Sequence, residues 1–192
     1  MNNIPAANSV FNVEEIRKDA QKSFEQGAIT SDYPLDLKRA CQILNEALAS
    51  EILCVLRYRH HQVVAKGIHS PYVVAEFKEH AENEEEHMLA IAERIVQLGG
   101  EPEMNPSTIM QRSATEYGGG GNDLISLIRE DLIAERVAIE LYRQMVEWFS
   151  VDSTTRRLLE KILADEEEHA TDLADLLENV EMETNHRGLY KQ

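Results

Sequence analysis

Basic residues are in short supply. Nineteen Lys and Arg stand against 35 Asp and Glu, and the formal net charge is −16. Such a surface repels phosphate backbones and anionic lipid, so neither DNA nor a membrane surface is expected as a partner. It tolerates cations and can concentrate them, although an acidic surface also serves plain solubility. Cysteine is nearly absent. Cys41 and Cys54 lie 13 residues apart on what reads as one helix, roughly 140° apart around its axis, so they cannot bridge each other. No disulfide framework is indicated. There is no apolar run of membrane length and no basic, apolar leader-like segment, so a reducing, cytoplasmic setting is expected. Aromatics are few, at 6%.

What remains is 192 residues, suited to one domain, with 43% apolar residues for its core and 28% charged. That mixture, rich in Ala, Leu, Ile, Glu and Arg, leans towards long helices. Residues 1–34 are weakly patterned and read as an appendage, with a short helix from Val13 to Phe24. Four long runs follow in residues 35–179. The first spans Leu35 to Lys66. The second starts at Ser70-Pro71, with proline suited to the first turn, and stops at Gly99-Gly100. About two dozen residues rich in Pro, Ser and Gly come next. The third run begins after Asn122 or Asp123, both fair N-caps, and reaches Phe149. The fourth follows a break at Ser150 to Ser153 and ends near Asn179, leaving residues 180–192 as a polar tail. The fold class is therefore all-α: an antiparallel four-helix bundle with one long crossover between its second and third helices.

Each run carries an apolar seam at spacings of three and four, and each seam holds a Glu where an apolar residue belongs. Glu51 lies among Leu44, Ala47, Cys54 and Tyr58. Glu84 lies among Phe77, Ala81, Ile91 and Ile95. Glu135 follows Ile128 and Asp131 and precedes Ala138 and Tyr142. Glu166 lies among Leu159, Ile162 and Leu173. One unpaired buried carboxylate costs several kcal/mol or takes up a proton. Four of them would threaten a fold whose net stability is about 5–15 kcal/mol, so positive charge is expected among them.

Their heights can be compared from the sequence. Glu51 and Glu84 are equidistant from the first helical turn-around, and Glu135 and Glu166 from the last. In a helical hairpin such residues lie side by side, so all four carboxylates can converge at one depth. His87 and His169 each follow a seam Glu by three and share its helix face. A Glu from each of two helices, with Glu-x-x-His from each of the other two, is a donor set known from di-metal bundles. It suits iron or manganese better than zinc, and four carboxylates balance two divalent cations. Glu85 and Glu168 should point elsewhere.

An internal repeat supports this pairing. Leu48-Ala49-Ser50-Glu51 with Tyr58 resembles Leu132-Ile133-Ala134-Glu135 with Tyr142, and Glu-Glu-Glu-His recurs on the following helix. Together these motifs resemble the bacterioferritin branch of the ferritin-like family over about three quarters of the chain. The resemblance implies that Glu51 and Glu135 are terminal metal ligands, that Glu84 and Glu166 bridge, that His87 and His169 each cap one metal, and that Tyr58 lies beside a ferroxidase site. The family's haem ligand is a Met directly after the first bridging Glu. Here Glu85 stands there, so no haem is expected.

Metal-bound imidazoles need an acceptor for their other N–H, and Asp131 and Asp165 are the candidates. Tyr58 and Tyr142 are placed to hydrogen-bond ligands or donate an electron, or to serve as core residues. Cys54 reads as a structural thiol, and His80 beside Glu79 as part of a solvated face rather than a route for iron. The expected function is oxidation of Fe(II) by O2 or H2O2 at two Fe ions per chain, Mn being possible, for iron storage and detoxification in a hollow homo-oligomer. The alternatives are a DNA-protecting or peroxide-detoxifying mini-ferritin, or a non-cage oxidase or peroxidase of the manganese catalase or rubrerythrin kind. A DNA-binding arm is not expected, since the N-terminal segment has more acids than bases.

Overall fold

The protein is described by a computed structural model covering residues 10–22, 24–67, 70–118 and 123–189, with side chains to residue 182. Its helices are α1 (Val13–Asp19), α2 (Leu37–Val64), α3 (Ser70–Gln97), α4 (Pro106–Arg112), α5 (Leu124–Trp148) and α6 (Ser153–Leu189), with a single 3₁₀ turn at Phe24–Gln26. Three of the long helices, α2, α5 and α6, begin at side-chain caps. Asp36 accepts from the Arg39 N–H and Asp123 from the Ser126 N–H. Asp152 Oδ1 accepts from the N–H groups of Thr154 and Thr155. Each cap supplies an acceptor that the first helical turn lacks.

The bundle consists of two hairpins, α2 on α3 and α5 on α6, which face each other across the core. The α3 end requires a left-handed residue, supplied by Gly99 at φ +75°, after which the Gly100 N–H donates to the Ile95 carbonyl. Gly100 also lies tight against α2: a Cβ there would stand 2.6 Å from Cys41 Sγ.

The buried apolar residues form two main clusters, one at each end of the bundle. The first contains Leu44, Leu48, Ile91, Ile95, Tyr142, Phe149, Leu159 and Ile162. The second contains Tyr58, Val73, Phe77, Leu127, Ile128, Leu173 and Leu176. The level between them, at Glu51, Glu84, Glu135 and Glu166, belongs to neither. Apolar plugs above and below keep water from that layer.

Three elements differ from the sequence expectation. Helix α6 passes Asn179 and runs through most of the expected tail, because Glu, Met and Arg there are good helix formers and no Gly or Pro intervenes before Gly188. The crossover contains α4, capped by Asn105 with Pro106 in the first turn; Ile109 buries it beside Ala49 and Leu53. Helix α1 stops at Asp19, short of Phe24. The end of the N-terminal segment is docked. Tyr33 packs on the first core cluster and donates to Asp152 Oδ2 at 2.7 Å, the same carboxylate that receives Arg94 at 3.0 Å. Gly119 to Gly121 of the expected loop lie outside the described residues.

Candidate metal centre

Glu51 comes from α2, Glu84 and His87 from α3, Glu135 from α5, and Glu166 and His169 from α6. All six meet in the middle layer, and none is more than 3% exposed. Glu85 and Glu168, their sequence neighbours, face solvent. His87 Nδ1 lies 3.5 Å from Glu51, 3.8 Å from Glu84 and 3.3 Å from Glu166. His169 Nδ1 lies 3.5 Å from Glu84, 3.9 Å from Glu135 and 3.7 Å from Glu166.

These groups surround one another without hydrogen-bonding. Nine buried side-chain N or O atoms lack a hydrogen-bond partner among the described residues, and eight belong to these six residues; the ninth is Arg112 Nε. Buried polar atoms are rarely left so. The pattern of orphans is informative. Glu84 and Glu166 have both oxygens free, whereas Glu51 and Glu135 have one each, and each imidazole has its Nδ1. The atoms fall into two four-residue groups, Glu51, Glu84, His87 and Glu166, and Glu84, Glu135, Glu166 and His169. Glu84 and Glu166 belong to both. The donors fit two cations with two carboxylates between them.

The second oxygen of each outer carboxylate is held by a tyrosine of the opposite hairpin. Tyr58 on α2 donates to Glu135 on α5, and Tyr142 on α5 donates to Glu51 on α2. The internal repeat, with Tyr seven residues after Glu, produces this exchange. Tyr142 is thus more than a packing residue. Burial, reinforced by the adjacent carboxylates, pushes both phenols well up, so they remain donors.

Behind the imidazoles the sequence reading is half met. His87 Nε2 lies 3.0 Å from Asp165 Oδ2. Asp131 serves neither histidine: its oxygens are taken by Arg57 Nε at 2.9 Å and His61 Nδ1 at 2.8 Å. The partner of His169 Nε2 is the Asn83 amide, at 3.2 Å. Asn83 precedes Glu84 as Asp165 precedes Glu166, and that shared offset was the signal available in the sequence. Arg57 was also missed. Its 1% exposure is unusual for arginine and follows from its bonds to Asp131, the Glu116 carbonyl and Cys54 Sγ. Burial pushes the Cys54 thiol well up, as suits a structural cysteine. His80 is buried at 2% exposure, contrary to the solvated face expected of it. Its ring stacks on His169 with centroids 4.1 Å apart, and burial, with His169 beside it, pulls its pKa down to about 3.

The protonation of the cluster follows from burial and neighbours. Burial pushes Glu51 and Glu135 well up, helped by the charges of Glu84 and Glu166. Burial also pushes Glu84 and Glu166 up, but the two imidazoles and the outer carboxyls outweigh it and leave both low. For His87, burial acts downward and is overcome by Glu166, Glu51 and Glu84, which raise it far above the usual imidazole range. His169 is pushed up to about 9, burial again being outweighed by Glu166 and Glu84.

Comparison with known proteins agrees with this geometry. A family model for the ferritin-like domain matches residues 41–182. A structure described as a dodecameric thioferritin, the bacterioferritin-related protein of Bacteroides fragilis, is similar at 34% identity and TM-score 0.76, covering 79% of this chain and 92% of that one. A ferritin-like di-iron carboxylate protein of Bacillus anthracis is similar at 26% identity and TM-score 0.64, over 73% of this chain and 96% of the other. The nutrient stress-induced DNA-binding protein of Nostoc sp. (strain PCC 7120) is 35% identical over 138 residues, 70% of this chain and 74% of the relative. An all-helical bundle, four internal carboxylates with two histidines, and a match across most of its length lead to one conclusion: the chain belongs to the ferritin-like family.

Proposed function

We propose that the protein is a ferroxidase that binds two Fe(II) ions per chain as substrate among Glu51, Glu84, His87, Glu135, Glu166 and His169. The observation that carries this reading is the set of eight orphaned donor atoms, divided into two groups that share Glu84 and Glu166. Two Fe(II) supply two electrons, enough to reduce O2 to the level of H2O2 or H2O2 to water.

The chain's own residues do the rest. Glu84 and Glu166, which belong to both donor groups, would be shared by the two ions, and Glu51 and Glu135 would each serve one. His87 and His169 present Nδ1 inward while Asp165 and Asn83 hold Nε2. With Nδ1 on a cation, Nε2 carries the proton, so the Asn83 amide, whose Nδ2 faces Nε2 at 3.2 Å, turns over to present its carbonyl oxygen as acceptor. Tyr58 and Tyr142 fix the outer carboxylates and stand within reach as electron donors. The apolar clusters on either side exclude bulk water. The donor set also accepts Mn(II), and iron is the ion we assign in the cell.

We further propose a homo-oligomeric cage for iron storage and detoxification in the cytoplasm. The Bacteroides relative, described as dodecameric, supports the assembly. So do apolar side chains left exposed on the long helices, such as Leu56, Val96 and Ile133. No helix among the described residues is long and apolar enough to cross a membrane. The Nostoc relative is named for DNA binding; for this chain we favour iron handling without DNA, because of its net charge of −16. A gel-shift assay on linear duplex DNA tests that choice, and retention of the DNA at physiological salt would reverse it.

The decisive experiment uses metal-free protein loaded anaerobically with Fe(II), then exposed to air, with near-ultraviolet absorbance followed beside a Glu84→Ala variant. Fast oxidation saturating at two Fe per chain, lost in the variant, is expected. Oxidation no faster than in buffer, in both proteins, would overturn the reading. Native mass separates a cage from a dimer or tetramer of the manganese catalase or rubrerythrin kind.

A further inference from the structure

Outside the central layer, Glu76 and His80 of α3 and Asp172 of α6 bring ligand-type atoms within 4.8 Å of one another. Two donors bound to one ion at about 2.1 Å each stand no more than about 4.2 Å apart, so small side-chain rotations close the set. Glu76 and Asp172 are partly exposed, whereas His80 is buried. We infer that Glu76, His80 and Asp172 form a third site for a divalent first-row cation, at the rim of the bundle, from which ions pass to the centre.

The hydrogen bonds around His80 support it. Tyr58 commits its proton to Glu135, so its oxygen is an acceptor towards His80 Nδ1, 3.2 Å away. Nδ1 therefore carries the ring proton, and Nε2 presents a lone pair. That nitrogen faces Glu76 Oε1 at 3.5 Å, with the Asp172 carboxylate completing the cluster. A lone pair aimed at two ionised carboxylates is repulsive, and a cation among them removes the repulsion while using all three donors. Among the described residues no Lys or Arg forms an ion pair with either carboxylate, and burial, with the charge of Asp172 beside it, raises the proton affinity of Glu76. One imidazole and two carboxylates suit Fe(II), Mn(II) or Zn(II), with water filling the remaining positions.

The rim cluster adjoins the central one through His80. His80, Glu135 and His169 also bring donor atoms within 4.8 Å of one another, and Glu135 and His169 belong to the central set. An ion leaving the rim thus meets a next group of donors that shares His80. This staging role rests on the ferroxidase reading; the rim site does not.

The test uses metal-free full-length protein, anaerobic Co(II), and a Glu76→Gln/Asp172→Asn double variant. Calorimetry should count three Co(II) per chain in the wild type and two in the variant. Cobalt anomalous diffraction should place the third ion against His80 Nε2. Stopped-flow absorbance should show the centre of the variant filling about tenfold more slowly, the low end of electrostatic focusing, to an unchanged final amplitude. A wild type that saturates at two Co(II), with no anomalous peak at His80, would overturn the site. Unchanged filling kinetics in the variant would overturn the staging role. A wild type that binds one Co(II) only, kept by Glu84→Ala and lost from the double variant, would support the rim site while refuting the central reading.

Discussion

Loading the centre with metal should expel four protons for every two ions. In the metal-free chain Glu51 and Glu135 are raised, which favours their protonated forms, and His87 and His169 are raised as well. Glu84 and Glu166 are lowered and ionised. Two carboxylates balance two imidazoliums, so the metal-free cluster is neutral, which explains how the layer is tolerated in a core. The loaded cluster is neutral too, with four carboxylates against two divalent cations. The exchange of four protons for two ions therefore leaves the buried charge unchanged. Metal ligation requires the deprotonated groups, which sets the sign. These pKa values are raised in the metal-free fold, so affinity falls as pH drops and climbs as pH rises. The average slope is about two in log K per pH unit for each ion wherever all four groups hold their protons in the metal-free chain. Above the value of about 9 held by His169, release declines towards three protons. Calorimetric titration of Co(II) at pH 7, in buffers of different ionisation enthalpy, reads the proton count directly. A Glu51→Gln variant should release one proton fewer. Release of less than about two protons per pair of ions would show that the carboxylates are already ionised and the imidazoles neutral, and would refute this account.

Other outcomes follow from individual contacts. Asp165→Ala removes the acceptor behind His87 and should weaken metal binding about 10–100-fold, read by competition with a chromophoric chelator; Asn83→Asp, which places a carboxylate behind His169, should not weaken it. Arg57→Ala takes the guanidinium from Asp131, which is wholly buried and keeps only the His61 ring beside it among the described residues, and should cost about 3–5 kcal/mol in urea unfolding. Gly100→Ala drives a methyl group into Cys41 and Ile95, and should cost about 1–3 kcal/mol; adding Cys41→Ala should recover part of it, and no recovery would refute the contact.

The sequence by itself determined the four long helices, because each carries a seam of period three to four between recognisable caps and breakers. It also determined the candidate ligand set. A Glu in an apolar seam is an anomaly on one helix, and four at matched distances from their turns form a layer whatever the details of packing. The crossover helix α4 was less legible, since seven residues carry little periodicity, and α6 outruns the seam read from the sequence because Val180 still packs on the second core cluster and Glu181 pairs with Arg129 of α5. The tertiary structure decided which side chain completes which. Asp131 and Asp165 look alike in sequence, both near a seam Glu. Only the rotation of α5 against α2 gives Asp131 to Arg57 and His61, leaving Asp165 to His87 and Asn83 to His169. Burial of His80 was likewise a matter of packing, because a histidine beside a Glu on a charged helix has no facing direction until α6 lies against it. Periodicity fixes the face a residue takes on its own helix. The hydrogen-bond partners that set its charge and tautomer come from the other three.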